Sequence, residues 1–339
     1  MDVFSWYGAL VKSIQGNTLL AWTALVAALV VLSKSAGVFV DSSVRIAEKF
    51  KIPKLVIGIV LVSLATTAPE LSVSLMSATA GKPEMALGNA IGSVICDDGL
   101  ALALAGLVSA VPILVIPRVL KTAGLFLLFI EFLAFLFVVF DSTLDRHEGV
   151  ILVVLFVIYM AFLLSQHKKG RLKSGEEEEP TLVRNSSLSL IALLFAVSLF
   201  GIIAASKFIV VAAVKIAHTL RVPEAIIALT IVAFGTSIPE VATCVIAARK
   251  KQGAIAVGNI IGADIMNICW VAGASAVANP LVLGRKEILF MFPAMFVIVG
   301  AMLAMLRYRY SLTRAKGAVL LGLYLLYLIF AVFIMKFPA

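Results

Sequence analysis

Charge is scarce in this 339-residue sequence: Asp, Glu, Lys and Arg make up 14% of it and hydrophobic residues 62%. A water-soluble domain is roughly 45–50% apolar, so the shortage excludes an ordinary globular fold and points to an integral membrane protein. Cysteine is also sparse. Cys96, Cys244 and Cys269 are odd in number and lie inside apolar runs, which argues against a disulfide framework and for packing. The three histidines, His147, His167 and His218, are scattered near loops and a helix end, so no His cluster offers a transition-metal site. The opening "MDVFSWYGALVKSIQGNT" lacks a basic start, a clean apolar core and a small-residue cleavage site; the first span is expected to be its own signal.

What the chain has instead is apolar length. Runs such as "AWTALVAALVVL", "GVILVVLFVIYMAFLL" and "AVLLGLYLLYLIFAVFIM" sit in stretches near the roughly 20 residues that cross a bilayer. Lipid offers backbone groups no partner, so the spans must be helices. Ten are expected, near 18–40, 54–80, 84–112, 119–140, 149–165, 187–217, 223–248, 253–278, 287–306 and 315–336. One set of alternate loops holds 18 Lys and Arg residues and the opposite side, termini included, holds 7. Cytoplasmic loops carry the excess, so both termini are expected outside and the polar 166–186 linker, with its acidic run "GEEEEP", cytoplasmic. The net charge of +9 is then explained by basic loops facing anionic lipid, and no nucleic-acid partner is implied.

The chain repeats itself. Residues 55–97 laid over 225–267, an ungapped offset of 170, give 12 identities in 43 positions. Thr66/Thr236, Pro69/Pro239, Glu70/Glu240, Gly88/Gly258, Asn89/Asn259 and Gly92/Gly262 are among them. Five spans separate the copies, so the second runs through the membrane in the opposite sense. Inverted repeats mark secondary transporters, with the site near the midplane where helices are interrupted. The expected architecture is an all-α integral membrane protein of ten transmembrane helices in two inverted five-helix repeats. The first repeat is 1–165 (α-repeat about 55–104), the linker 166–186, and the second repeat 187–339 (α-repeat about 225–274).

In each copy a glutamate follows a proline inside a span, "LATTAPELSVSL" and "AFGTSIPEVATC". Proline donates no N–H to the carbonyl four residues back and bends the turn above it, so carbonyls near 63–66 and 233–236 are freed toward a cavity. Thr66, Thr67, Thr236 and Ser237 add hydroxyls to those turns. Ionisable groups inside spans are costly and mark function. Two carboxylates with carbonyls and hydroxyls form an all-oxygen cage that suits Ca²⁺ or Na⁺; softer metals would want Cys or His.

These motifs, "ATTAPE" with "GNAIGSVICD" and "GTSIPE" with "GNIIGADIMN", resemble the paired α-repeats of sodium/calcium exchangers in the calcium:cation antiporter superfamily. The resemblance covers essentially the whole chain. It implies alternating access, Ca²⁺ leaving against inward Na⁺ while the first and sixth helices slide across the core, and no enzyme activity or cofactor. Carried over by position, Glu70 and Glu240 would be the acidic ligands. Thr66, Thr236 and the carbonyls of Ser63 and Ala233 would add oxygens, with Asp97 and Asn267 as the next positions. Ser93 matches a Na⁺-binding serine, whereas its mate here is Ala263.

Asp97 and Asp98 are adjacent, about 100° apart on a helix, and cannot face one point. Asp97 shares a face with Ser93, four residues back, and is expected toward the site; Asp98 and Asp264 are left to hydrogen bonding behind the ligands, a helix contact or an ion pathway, and Asn89 and Asn259 to hydrogen bonding behind the ligands. Gly88, Gly92, Gly258 and Gly262 form small-x-x-x-small faces for close helix approach. Lys34, Asp41, Lys207 and Lys215 are expected to snorkel. The leading function is Na⁺/Ca²⁺ antiport; a divalent-cation antiporter coupled to H⁺ or dependent on K⁺ keeps the same fold. An intramembrane hydrolase using two of Asp97, Asp98 and Asp264 lacks a nucleophile with a base, and a passive channel would show no counter-ion dependence. Lipid and inorganic cations are the expected partners; the oligomeric state stays open, a monomer being the simplest unit.

Overall fold

The computed structural model describes residues 3–168, 187–220 and 233–336, which are helical almost throughout. In chain order the elements are α1 (Val3–Gly16), α2 (Thr18–Phe50), α3 (Lys54–Thr66), α4 (Ala68–Thr79) and α5 (Pro83–Val108). After these come β1 (Ile113–Leu114), α6 (Pro117–Val138), β2 (Thr143–Leu144) and α7 (Arg146–Lys168). The rest of the chain gives α8 (Leu188–Thr219), α9 (Ala233–Thr236), α10 (Ile238–Arg249), α11 (Gly253–Ala278), β3 (Leu281–Val282), α12 (Arg285–Arg307), β4 (Ser311–Leu312) and α13 (Arg314–Lys336). Eight helices among the described residues (α2, α5, α6, α7, α8, α11, α12 and α13) are long and apolar enough to cross a membrane. Helices α3 and α4, bent by 44° at their junction, pass that test as a pair. The first part of the expected seventh span, 223–232, and all but the start of the linker lie outside the described residues.

Sequence chemistry sets the helix ends. Asn17 caps α2, its Oδ1 accepting from Leu19 N at 2.9 Å and Leu20 N at 3.2 Å, which satisfies N–H groups that a helix start leaves unbonded. Helices α4, α5 and α6 each carry a proline in the first turn, where its missing N–H costs nothing. The expected span 84–112 stops at Val108: Ser109 turns extended and its hydroxyl donates to Val111 O at 2.6 Å. Helix α2 continues ten residues beyond the expected end at 40, because its last turns bury Ser42, Ser43, Val44 and Ala47 while polar neighbours face out. The N-terminal segment 3–16, with no span expected in it, is helical; its Ile14 packs with Ala21 of α2 and Ala212 and Ile216 of α8.

Helices α2 and α8, 33 and 32 residues long, would each run about 50 Å, more than the roughly 30 Å of hydrocarbon. They pack along each other, with Phe39 and Phe195 at 4.7 Å between ring centroids. Leu19, Trp22, Val26 and Leu29 point outward from α2, as do Leu125, Phe129 and Phe132 from α6. Apolar surface on this scale suits lipid and not water.

At the centre, α3 crosses α11 at backbone distance. A Cβ added at Gly58 would sit 2.8 Å from Ile255 O and 2.9 Å from Asn259 N; one at Gly262 would meet Ile59 O and Ser63 Oγ, each at 2.5 Å. Gly258 faces Leu55 O and the Gly58 Cα in the same crossing. The small-residue face expected of Gly258 and Gly262 is therefore this contact. Gly88 meets nothing within 4 Å among the described residues, and Gly92 only Met291 Cε at 3.9 Å.

Two short antiparallel ladders join distant parts of the chain: β1 with β4, pairing Ile113 with Leu312, and β2 with β3, pairing Thr143 with Val282. Exchanging the halves carries β1 onto β3 and β4 onto β2, so each ladder is the counterpart of the other. A methyl group in the α3–α11 crossing must push two backbones apart. Gly258→Ala is expected to destabilise the protein by about 1–3 kcal/mol, read as a lowered unfolding midpoint in detergent, whereas an unchanged midpoint would mean that the two helices do not cross so closely.

Candidate cation-binding site

Both proline–glutamate motifs lie at true breaks. Helix α3 ends at Thr66, Thr67 leaves helical geometry (φ −78°, ψ 2°), and α4 begins at Ala68. In the second copy α9 ends at Thr236, Ser237 takes φ −85°, ψ 4°, and α10 begins at Ile238. The prolines therefore do not kink a continuous helix. Pro69 and Pro239 occupy the first turn of a new one, and the break falls two residues earlier. Glu70 and Glu240 sit in those same first turns, where the unbonded N–H groups favour negative charge.

Neither glutamate is accessible to solvent, and the donors beside them are few: a threonine hydroxyl of the other copy and the backbone N–H of the same turn. Glu70 lies within electrostatic reach of Glu240 and Asp97. Thr236 stands beside Glu70, and Thr66 beside Glu240, so each glutamate faces the threonine of the opposite copy. Ser63 is buried and its carbonyl already accepts from Thr67 N at 2.9 Å, from Thr66 Oγ1 at 3.4 Å and from the Thr67 hydroxyl. Ala233 opens the short helix α9.

The offset of 170 recurs in the hydrogen bonds. Thr66 donates to Asn259 Oδ1 at 3.1 Å and Thr236 to Asn89 Oδ1 at 3.2 Å. Asn89 Nδ2 donates to Ser74 Oγ at 3.0 Å and Asn259 Nδ2 to Cys244 Sγ at 3.6 Å. Ser74 and Cys244 in turn donate to the carbonyls of Ala86 (3.3 Å) and Ala256 (3.4 Å). Position by position, each bond is the counterpart of the other.

Asp97 and Asn267 open matching wide π-type turns, Asp97–Leu102 in α5 and Asn267–Ala272 in α11, a local form frequent at functional sites. They meet: Asn267 Nδ2 donates to Asp97 Oδ2 at 3.5 Å. Ser237 stands beside Asp97, and Ser93 is buried with its hydroxyl unbonded. Among the described residues no three Asp, Glu, His or Cys side chains converge as a ready-made metal cluster. A cation between the glutamates would draw on neutral oxygens, as a hard ion's oxygen shell commonly does.

Asp98 points elsewhere, against Asp264. Glu131 of α6 completes this second group, within electrostatic reach of both. All three are fully buried, and Asp98 and Asp264 lie close enough to hydrogen-bond each other. Sequence reasoning missed Glu131. The signal was a lone acid in "LLFIEFLAF", a position where an ionisable residue deserves a functional reading. Asp41 is also better defined than a snorkelling acid: it pairs with Lys250 Nζ at 2.7 Å, and the same ammonium donates to Gly37 O at 2.9 Å. Lys34 and Lys207 are exposed, as snorkelling side chains would be.

The family described as Sodium/calcium exchanger protein matches residues 20–165 and 190–333. An uncharacterized membrane protein of Methanocaldococcus jannaschii is 33% identical over 298 residues, covering 88% of this chain and 93% of its own. The sodium/calcium exchanger MaX1 of Methanosarcina acetivorans is 29% identical over 340 residues, covering 90% and 96%. Among solved structures, the sodium-calcium exchanger NCX_Mj soaked with Na⁺ and Sr²⁺ superposes with a TM-score of 0.77 at 28% identity, over 91% of this chain and 98% of that one.

Three buried acids on which no basic group among the described residues acts repel one another and lose hydration. Asp264→Asn and Glu131→Gln are each expected to hold or raise the unfolding midpoint in detergent without added Na⁺ or divalent cations. A drop of several degrees in either variant would show that its carboxyl makes a stabilising bond.

Proposed function

The chain belongs to the sodium/calcium exchanger family, and from that premise we propose how its residues carry out Na⁺/Ca²⁺ antiport. The observation that carries the reading is the Glu70/Glu240 pair: fully buried, set at mirrored helix breaks, and acted on by no Lys or Arg among the described residues. A carboxylate pair of this kind asks for a cation. Glu70 and Glu240 are the charged ligands of Ca²⁺. Thr66, Thr236, Thr67, Ser237 and the carbonyls of Ser63 and Ala233 supply neutral oxygens, with Asp97, Asn267 and Ser93 extending the site for Na⁺. Ala263 stands where a second serine would be, so the Na⁺ sites of the two halves are unequal.

Charge supports the exchange. Three Na⁺ balance Glu70, Glu240 and Asp97, whereas one Ca²⁺ leaves one negative charge over. The two loads are mutually exclusive because they use the same carboxylates, and that exclusion makes the protein an antiporter and not a leak. It moves ions without making or breaking covalent bonds.

The architecture that suits this cycle is ten spans in two inverted five-helix repeats, 1–165 and 187–339, joined by the 166–186 linker. The recurrence of breaks, wide turns and hydrogen bonds at an offset of 170 supports it, as does the reciprocal pairing of the β ladders. The excess of Lys and Arg in one set of loops supports termini outside and a cytoplasmic linker. In the cycle, α2 and α8 slide together across the core and open the site to either side.

In proteoliposomes, an outward Na⁺ gradient is expected to drive ⁴⁵Ca²⁺ uptake, and collapse of the gradient to stop it; uptake that ignores Na⁺ and follows pH or K⁺ would overturn the coupling. Glu70→Gln and Glu240→Gln are each expected to lower exchange by a hundredfold or more, since about 3 kcal/mol of binding is at stake when one of two charged ligands is lost. Full activity in either variant would place the site elsewhere. A cysteine placed at position 175 is expected to react with an impermeant thiol reagent in inside-out vesicles and not in intact cells.

A further inference from the structure

The two copies end their half-helices with the same backbone and tie them down differently. Ala80 closes α4 and Lys250 closes α10; they are counterparts at the offset of 170, with nearly the same angles (φ −82°, ψ 8° and φ −83°, ψ 8°). Only the second has a side chain that can reach. Lys250 Nζ pairs with Asp41 Oδ1 of α2 at 2.7 Å and donates to the Gly37 carbonyl of the same helix at 2.9 Å. Its end lies against the bare Gly37, where an added Cβ would meet Nζ at 3.6 Å. The counterparts of Gly37 and Asp41 on α8 are Lys207 and Val211, which offer no acid. The end of α4 is held by α11 instead, Asn279 Nδ2 donating to Ala78 O at 2.9 Å.

Packing follows the same division. Helix α2 packs against α10, whereas α8 has no comparable packing on α4 among the described residues. Side-chain exposure agrees: Val73 and Met76 of α4 are 37% and 70% exposed, while Thr243, the counterpart of Val73, is wholly buried. In the inverted architecture proposed above, α4 and α10 leave the site toward opposite faces of the membrane. The long pair of α2 and α8 therefore covers the α10 side and leaves the α4 side open.

Resting on the slide of α2 and α8 given above, we propose that Lys250, Asp41 and the Gly37 carbonyl form a latch that holds the sliding pair over α10 and closes the site on the face of the 249–251 loop. To open that face, α2 must give up both bonds of Lys250. No counterpart of the pair has to break for the return, so the two access states are unequal and the carrier rests open on the α4 side. The Lys250 and Asp41 side chains are 35% and 50% exposed, and ion pairs of that exposure add little to folding stability. A latch need not be strong: two states of similar energy are repopulated about threefold by one such pair.

The test reads half-saturating Ca²⁺ separately on each face of the full chain, in inside-out and right-side-out vesicles from expressing cells. Half-saturation does not depend on how much protein folds. Reaction of Gly175→Cys with an impermeant reagent identifies the face of the 249–251 loop, since two spans separate that loop from the linker. Lys250→Met keeps the stem and loses the charge. It is expected to lower half-saturating Ca²⁺ about threefold on the 249–251 face and to raise it by a smaller factor on the other, because each face binds only its own state. Asp41→Asn leaves the bond to Gly37 and is expected to move both values in the same directions by less. The exchanged pair, Asp41→Lys with Lys250→Asp, is expected to lie closer to the parent than Asp41→Lys alone. A residue that only supports the fold would shift both faces alike or neither. Either of those results in Lys250→Met, or an exchanged pair no closer to the parent than Asp41→Lys, would overturn the latch. The parent chain is measured first: if its Ca²⁺ uptake follows an ion other than Na⁺, the coupling proposed above fails, and the ratio between faces taken with that ion still decides the latch.

Discussion

A carboxylate inside a membrane has no water to turn to, and beside Glu70 and Glu240 stand only a threonine hydroxyl of the other copy and the N–H groups of their own helix turn. Leaving such groups short of donors costs several kcal/mol each, and the rest of the fold is arranged around two places where that cost is accepted. Helix breaks put each glutamate in a first turn, where backbone N–H groups face it. The α3–α11 crossing at Gly58, Gly258 and Gly262 brings one copy's break against the other copy's helix. Without that close approach Thr66 could not reach Asn259. The fold thus ties Thr66, Thr236, Asn89 and Asn259 into one network beside the glutamates.

The two copies keep the geometry and vary the chemistry. Asp97 faces Asn267, Ser74 answers to Cys244, Ser93 to Ala263, and Val94 to Asp264. An acid opposite an amide can be hydrogen-bonded directly, as it is here; two acids in those places would repel, and two amides would lose the third charge. The buried group of Asp98, Asp264 and Glu131 arises from the same divergence, since Asp264 has no acidic mate and Glu131 belongs to a helix outside both motifs.

Much of this was legible in the sequence because it follows from length, polarity or repetition. Apolar runs identify the spans, and the offset of 170 pairs Glu70 with Glu240 and Asn89 with Asn259 without any structure. Features that depend on packing across copies were not legible. Nothing in "GNAIG" says that Asn89 meets Thr236, because the partner lies 147 positions away. The proline signal was read one step off: proline marks where a helix starts as readily as where one bends, and only backbone angles at Thr67 and Ser237 separate the two. Helix α1 was overlooked because a 14-residue segment is too short to span and takes its stability from packing on α2 and α8. Glu131 escaped because it has no repeat mate to draw attention to it.

The two β ladders are only two residues long each, yet they change what kind of machine the molecule is. Strand β1 leaves the first half to bond with β4 at the far end of the second, and β2 does the same with β3; between these stitches α11 is threaded against α3 and α5. The halves are interlaced and not set side by side. A plane drawn between the described residues before and after the linker cuts backbone hydrogen bonds at two places, so a clamshell swing of one against the other would have to break both ladders. Elements that lie outside the weave, such as α2 and α8, carry no such stitch and can move over the centre while both ladders stay whole.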